Sequence, residues 1–245
     1  MNVAAVLRLL RQTLRVAPHV SGRAVFEQAF EVGNRSAFFV AVVMTCIGII
    51  LTVQSAEQGL RMTGELSLVG PTFFQLLVRE FAPVFVGLLI AARYGASAAA
   101  EIGTMQITEQ IDALRMAGAE PVRVLVAPRV VGGIVAMPAL TLVTGALCYV
   151  AGGFAGNVGF GIGWFTFFSP SMVETSDIVV GVVKSVAFGG AVPLVACAAG
   201  LTARGGAPGV GRATTQAVIG GSLAVLFLDM VIGAAGQVFV MSTRA

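Results

Sequence analysis

Four charged side chains stand in stretches that are otherwise apolar: Arg79, Glu80, Lys184 and Asp229. A charge at the centre of a bilayer costs roughly 2.5–3.5 kcal/mol on insertion scales, so such residues default to functional candidates. Counted along apolar spans, Arg79 and Glu80 lie six or seven residues in, or roughly 10 Å deep at 1.5 Å per residue. Lys184 is seven residues into its span from the same face, and Asp229 is somewhat deeper. The four sum to zero and can pair around a cavity. Two readings are open: ion pairs that only fix helix register, or a polar lining for a lipid headgroup. In the second, Lys184 or Arg79 is nearest the phosphate and apolar walls hold the acyl chains. Arginine suits bidentate phosphate contact and lysine a point-charge contact. Arg79, Glu80 and Phe81 are successive helix positions 100° apart and cannot all face one way. Glu80 is expected to face the cavity with Phe81 on its wall, and Arg79 to meet an acidic partner or reach a headgroup. Lys184 and Asp229 are expected to pair.

Other chemistries find no support. The sequence has no Ser/His/Asp order and no GxSxG. Nor does it have a GxxxxGK[ST] phosphate loop, and its one lysine, Lys184, lies in an apolar stretch, so this chain is not expected to hydrolyse ATP. Cys46, Cys148 and Cys197 lie far apart in apolar stretches and read as packing residues, with no metal site expected. His19 has no other ligand type at metal spacing and reads as an interfacial residue. A net charge of +3 is too small to suggest nucleic acid.

The elements that must position these charges are membrane spans. Apolar residues make up 57% and charged residues 11%, and the mean hydropathy is +0.92. A soluble domain carries about a quarter charged residues, so this composition excludes one. A span needs about 20 apolar residues. Five are predicted, over 36–56, 73–100, 130–151, 177–200 and 214–240. The glycine-rich piece Gly152 to Gly163 is expected to be loop. Arginine placement sets the orientation. Arg8, Arg11, Arg15, Arg23, Arg35, Arg93, Arg115, Arg123, Arg129, Arg204 and Arg212 gather on one side, against Arg61, Arg79, Lys184 and Arg244 on the other. The positive-inside rule then puts the N-terminus in the cytoplasm. Trp164, Phe165, Phe167 and Phe168 fall at the outer interface, where aromatic belts occur. No cleavable signal sequence is expected.

Residues 1–35 read as an interfacial region. Arg8, Arg11 and Arg15 share one helical face and Leu9, Leu10 and Leu14 lie to the other side, a pattern that lies in the headgroup plane. In span 2, Ala91, Gly95 and Ala99 recur every four residues and allow close helix approach. Pro83, Pro138 and Pro193 interrupt spans 2, 3 and 4, where kinks can shape a cavity.

Glu101 to Arg129 is the most polar stretch after the N-terminus. Thr108 is a good N-cap, Gly118 a good C′ residue, and Pro121 stops the chain from continuing. A short helix over 109–117 is predicted, with Ile111, Leu114 and Ala117 on one side. Glu109, Asp112 and Arg115 fall on the other. It is either a helix lying on the membrane or a docking helix for a cytoplasmic partner, and charge density favours docking.

Several of these segments together resemble a known family. Val78-Arg79-Glu80-Phe81-Ala82-Pro83, Ala92-Arg93-Tyr94-Gly95-Ala96-Ser97, Ala100-Glu101-Ile102-Gly103-Thr104-Met105, Thr108-Glu109-Gln110-Ile111-Asp112-Ala113-Leu114-Arg115 and Pro128-Arg129 occur in order. The likeness resumes at Lys184-Ser185-Val186 and at Gly211-Arg212-Ala213-Thr214-Thr215 through Leu228-Asp229. Together they are similar to the MlaE/YrbE permeases, the membrane subunits of MCE-associated ABC transporters. Phe81-Ala82 stands where that family usually has Leu-Gly, and Ala92 where it usually has Gly. The resemblance implies an all-α polytopic fold, a single permease domain over 1–245, with an N-terminal interfacial helix, five transmembrane helices and a cytoplasmic coupling helix. It implies phospholipid transport in the bacterial inner membrane, with no cofactor on this chain and ATP bound by a partner. The implied partners are a second permease subunit (a homodimer), a cytoplasmic ABC ATPase, a periplasmic MCE-domain protein and a STAS-domain subunit. Its implied lipid cavity maps to Arg79, Glu80, Phe81, Lys184 and Asp229, and its ATPase-docking positions to Glu109, Asp112, Leu114 and Arg115. An ion-coupled secondary transporter using Glu80, Asp229 and Lys184 is the alternative, and five spans argue mildly against its usual inverted repeats.

Overall fold

A computed structural model describes residues 3–62 and 64–244, apart from the side chains of 3–5, 19 and 239–244. The interfacial expectation for His19 and the outer-side expectation for Arg244 therefore concern side chains outside the described set. The chain is an all-α polytopic membrane protein. Five helices are long and apolar enough to cross a membrane: Gly22–Met62, Val69–Ile107, Val122–Phe160, Thr175–Leu201 and Ala207–Val238. With the shorter elements, the order is α1 (Val3–Val16), α2 (Gly22–Met62), α3 (Val69–Ile107), α4 (Gln110–Met116), α5 (Val122–Phe160), α6 (Trp164–Phe167), α7 (Thr175–Leu201) and α8 (Ala207–Arg244). Helix is the only open-chain structure that satisfies every backbone polar group in hydrocarbon.

These helices outrun the predicted spans. Residues 22–35, read as part of the interfacial region, are continuous with the first spanning helix in α2. The loop expected over Gly152 to Gly163 is a correction: α5 stays helical to Phe160 and the chain turns only at Gly161, whose φ is 68°. The glycines there are contact positions. A Cβ on Gly152 would stand 2.4 Å from Thr52 Oγ1, and one on Gly153 would stand 2.6 Å from the Phe168 ring. Asn157 Nδ2 closes the helix end by donating to the Ile162 carbonyl at 2.9 Å.

The chain forms two compact units. The first comprises Met1–Ser36, Gly87–Pro138 and Ser185–Leu228, and the second Ala37–Val86, Ala139–Lys184 and Asp229–Ala245. In the first, Leu9, Ile102, Ile111, Val126, Val130, Leu194 and Cys197 form one buried cluster, with Leu10 and Leu114 packed against it. One edge of α1 is thus docked through Leu9, while Leu14 is exposed beside the arginines. The pattern of three leucines opposite three arginines divides by this packing. In the second unit Phe73, Phe74, Tyr149, Phe167 and Phe168 form an aromatic cluster. Tyr149 donates its hydroxyl to the Phe167 carbonyl at 2.7 Å, and Trp164 stacks on Phe168.

Three wide π-helical turns interrupt the regular geometry, at Leu77–Phe81 and Ala91–Gly95 in α3 and at Val122–Val126 in α5. Such turns occur mostly as single insertions inside α-helices, frequently at functional sites. The first two carry Arg79 with Glu80, and Arg93 with Tyr94.

Candidate functional site

The second unit brings together Arg79 and Glu80 from α3, Lys184 from α7 and Asp229 from α8. Lys184 is completely buried, and its ammonium bonds Glu80 Oε2. Asp229 Oδ1 stands 2.7 Å from the same nitrogen. That approach is a charge contact outside hydrogen-bond alignment, and no donor meets this oxygen among the described residues. Arg79 Nε lies 3.6 Å from Glu80 Oε1, and Arg79 Nη1 donates to Asp177 Oδ1 at 2.9 Å. The other Asp177 oxygen accepts from Gln75 Nε2 and from the Glu174 backbone N–H, both at 3.1 Å. Burial in this setting is tolerable because each charge meets its opposite.

Close backbone contact makes the arrangement possible. A Cβ on Gly181 would stand 2.3 Å from the Val78 carbonyl oxygen. Only glycine lets α7 press against the π turn of α3 there, one turn before Lys184. The wide turn in turn points Arg79 at Asp177 while Glu80 meets Lys184. Phe81 packs on Phe85 with ring centroids 5.9 Å apart.

Asp177 is the member that sequence reasoning missed, since it was read only as the start of a span. The signal was available. Asp177 precedes Lys184 by seven residues, two helical turns, which puts both on one face. With it the set has three acids and two bases, a formal charge of −1 in place of zero. The side chains of Glu80, Asp229 and Arg79 keep 33%, 23% and 17% of their exposure, so this face of the network is reachable.

In the first unit, α4 differs by small but physical amounts from its expectation. It covers Gln110–Met116. Thr108 is not its N-cap, a correction: the Thr108 hydroxyl donates to the Thr104 carbonyl at 2.8 Å. Because α3 continues through Ile107, that hydroxyl serves the preceding helix, and the chain reverses at Glu109, whose φ is 60°. The C-terminus follows the predicted chemistry. Gly118 has φ 77°, its N–H bonds the Arg115 carbonyl, and the Ala119 N–H bonds that of Leu114, both at 3.0 Å. This is the paired Schellman closure that a glycine permits. Ile111 is fully buried, Leu114 is half-buried, and Ala117, expected beside them, is exposed. Glu109, Asp112 and Arg115 are exposed, with Arg115 Nη1 donating to Asp112 Oδ1 at 2.7 Å.

Five helices apolar and long enough to cross a membrane, with a charge network buried in one unit and an exposed acidic–basic helix in the other, define the class of polytopic membrane proteins. The comparisons with known proteins make this specific. Residues 25–235 match the family described as Permease MlaE. A probable ABC transporter permease protein of Rickettsia felis is 35% identical over 234 residues, covering 94% of this chain and 87% of that one. A probable ABC transporter permease protein of Synechocystis is 35% identical over 213 residues, covering 84% and 79%. The chloroplastic protein TRIGALACTOSYLDIACYLGLYCEROL 1 of Arabidopsis thaliana is 31% identical over 229 residues, covering 93% of this chain and 63% of that one. The chain belongs to the MlaE family of ABC transporter permeases.

Proposed function

We propose that this permease moves phospholipid between a bacterial inner membrane and a periplasmic MCE-domain carrier, with ATP hydrolysed by a cytoplasmic partner. The observation that carries the reading is the partly exposed face of the Arg79, Glu80, Asp177, Lys184 and Asp229 network. Glu80 and Asp229 offer acceptor oxygens to an ammonium headgroup. Arg79 offers donors to the phosphate beside it, as a guanidinium does well. Lys184, sealed beneath both carboxylates, holds them in place. Phe81 supplies apolar wall. The name of the Arabidopsis relative is that of a glycerolipid, which supports a lipid cargo. Membership among ABC permeases leaves no ground for the ion-coupled alternative.

In this reading the chain works as a homodimer with its N-terminus in the cytoplasm. Glu109, Asp112, Leu114 and Arg115 form the foothold of the ATPase, which in turn carries a STAS-domain subunit. A photocrosslinker at Phe81 tests the cavity against one at Val43 in α2. Phospholipid captured preferentially at Phe81 supports a dedicated site, and equal capture at both positions refutes it.

A further inference from the structure

The first unit holds a polar cavity of about 340 Å³, lined by Glu31, Arg35 and Ser36 of α2 and by Arg93, Tyr94 and Ser97 of α3. Small-ligand sites occupy roughly 300–1,000 Å³. Two arginines face one glutamate here, a surplus of one positive charge. Arg35 Nη1 donates to Glu31 Oε1 at 2.7 Å, but this is an exposed pair one helical turn apart and is readily exchanged. Arg93 is exposed and forms no ion pair among the described residues. It stands in the wide π turn Ala91–Gly95, next to Tyr94, whose hydroxyl donates to Gln28 Oε1 at 3.4 Å.

The cavity also has a defined place along α2. No charged residue occurs from Ser36 to Ala56, so Arg35 and Ser36 mark the point where the polar part of that helix ends. A cation without a counter-ion at such a boundary is matched by the phosphate of a membrane lipid. The hydroxyl of Ser36 adds a donor on the α2 wall. We infer that this cavity binds the phosphate of a lipid headgroup, with Arg93 as its principal donor and Arg35 swinging from Glu31 to join it. The site is separate from the Arg79 network and does not depend on the reading given to that network. The shared chemistry is a phosphate ester. Its position at the polar–apolar boundary favours a lipid over a soluble anion.

The test uses the full chain in nanodiscs of phosphatidylcholine containing phosphatidylglycerol, with a benzophenone side chain in place of Ser97. Ultraviolet capture should yield a phosphatidylglycerol adduct by mass spectrometry. Arg93→Gln should reduce it about tenfold, the scale of one lost charge-assisted hydrogen bond. Arg93→Lys should keep part of it, and Arg35→Gln should reduce it less than Arg93→Gln. Capture at Phe81 and the melting temperature should not change in Arg93→Gln, since Arg93 is exposed and unpaired. Undiminished capture in Arg93→Gln overturns the proposal. So does equal capture of diacylglycerol, which lacks the phosphate, or a crosslink to a second copy of the chain. The soluble-anion source has its own arm. Inorganic phosphate that protects Arg93 from phenylglyoxal in lipid-free detergent would overturn the lipid assignment.

Discussion

Asp177 Oδ1 accepts a hydrogen bond from Arg79 Nη1 at 2.9 Å, so the arginine next to Glu80 is neutralised by an acid 98 residues away in sequence. Asp177 is itself almost fully buried, with side-chain exposure of 2%. A carboxylate in that position is tolerated because Arg79, Gln75 and a backbone N–H satisfy both of its oxygens. Asp177→Ala should therefore destabilise the purified protein, by less than the roughly 3–5 kcal/mol of a wholly unpaired buried charge, because Arg79 keeps Glu80 at 3.6 Å. Thermal unfolding in detergent measures it. Exchanging the two residues, Arg79→Asp with Asp177→Arg, should recover part of the loss, and strictly additive losses would refute the pairing.

Lys184 faces two carboxylates at once. Lys184→Met should remove the cation between Glu80 and Asp229, leaving Arg79 as Glu80's partner and Asp229 with none among the described residues, and abolish lipid transfer. Asp229→Asn should be milder, because Lys184 keeps Glu80. The reciprocal pair Lys184→Asp with Asp229→Lys should restore transfer in part. The readout is lipid movement in vesicles reconstituted with the ATPase. Equal losses for the two single variants would refute this ranking.

Glu109, at the turn into α4, and Asp112 and Arg115 on its outward face stand in the open, while Ile111 anchors its inner side. Glu109→Lys with Asp112→Lys should release the ATPase and leave the permease folded in the membrane. Copurification at undiminished yield would refute the docking assignment. Ile111→Ala, by contrast, should act through the fold. Removing a fully buried branched side chain from a packed cluster costs roughly 2–5 kcal/mol. Met116→Ala on the exposed side should be close to neutral, and comparing the two melting temperatures checks the orientation of the helix.

Gly181 is the contact on which the charge network rests. Gly181→Val puts a branched side chain where a single Cβ already stands 2.3 Å from the Val78 oxygen. The helices must part, which should lower both the melting temperature and lipid transfer. Gly64→Ala, at a turn with φ 72° and open space around it, should cost only about 1 kcal/mol of local backbone strain. Equal effects of the two substitutions would show that the close approach is dispensable.

The order of residues was enough to set the class. Charge scarcity and long apolar runs admit only a polytopic helical protein, since backbone groups in hydrocarbon must be satisfied within each segment. It also determined the charged layer. Arg79, Glu80, Lys184 and Asp229 stood out because charges in apolar runs are costly, and Lys184 paired with Asp229 as their signs and depths required. The close of α4 at Gly118 was legible for a local reason, because one residue's backbone freedom ends a helix. The tertiary structure alone decided which helix met which. Lys184 takes Glu80 as well as Asp229, and Arg79 takes Asp177, because the π turn at Leu77–Phe81 re-aims both side chains of α3. Nothing in a 3.6-residue periodicity announces an inserted turn. The glycines of Gly152–Gly163 read as loop for the same reason. A glycine pressed against a neighbouring helix and a glycine freeing a turn are one residue type in the sequence, and only the packing around each separates them.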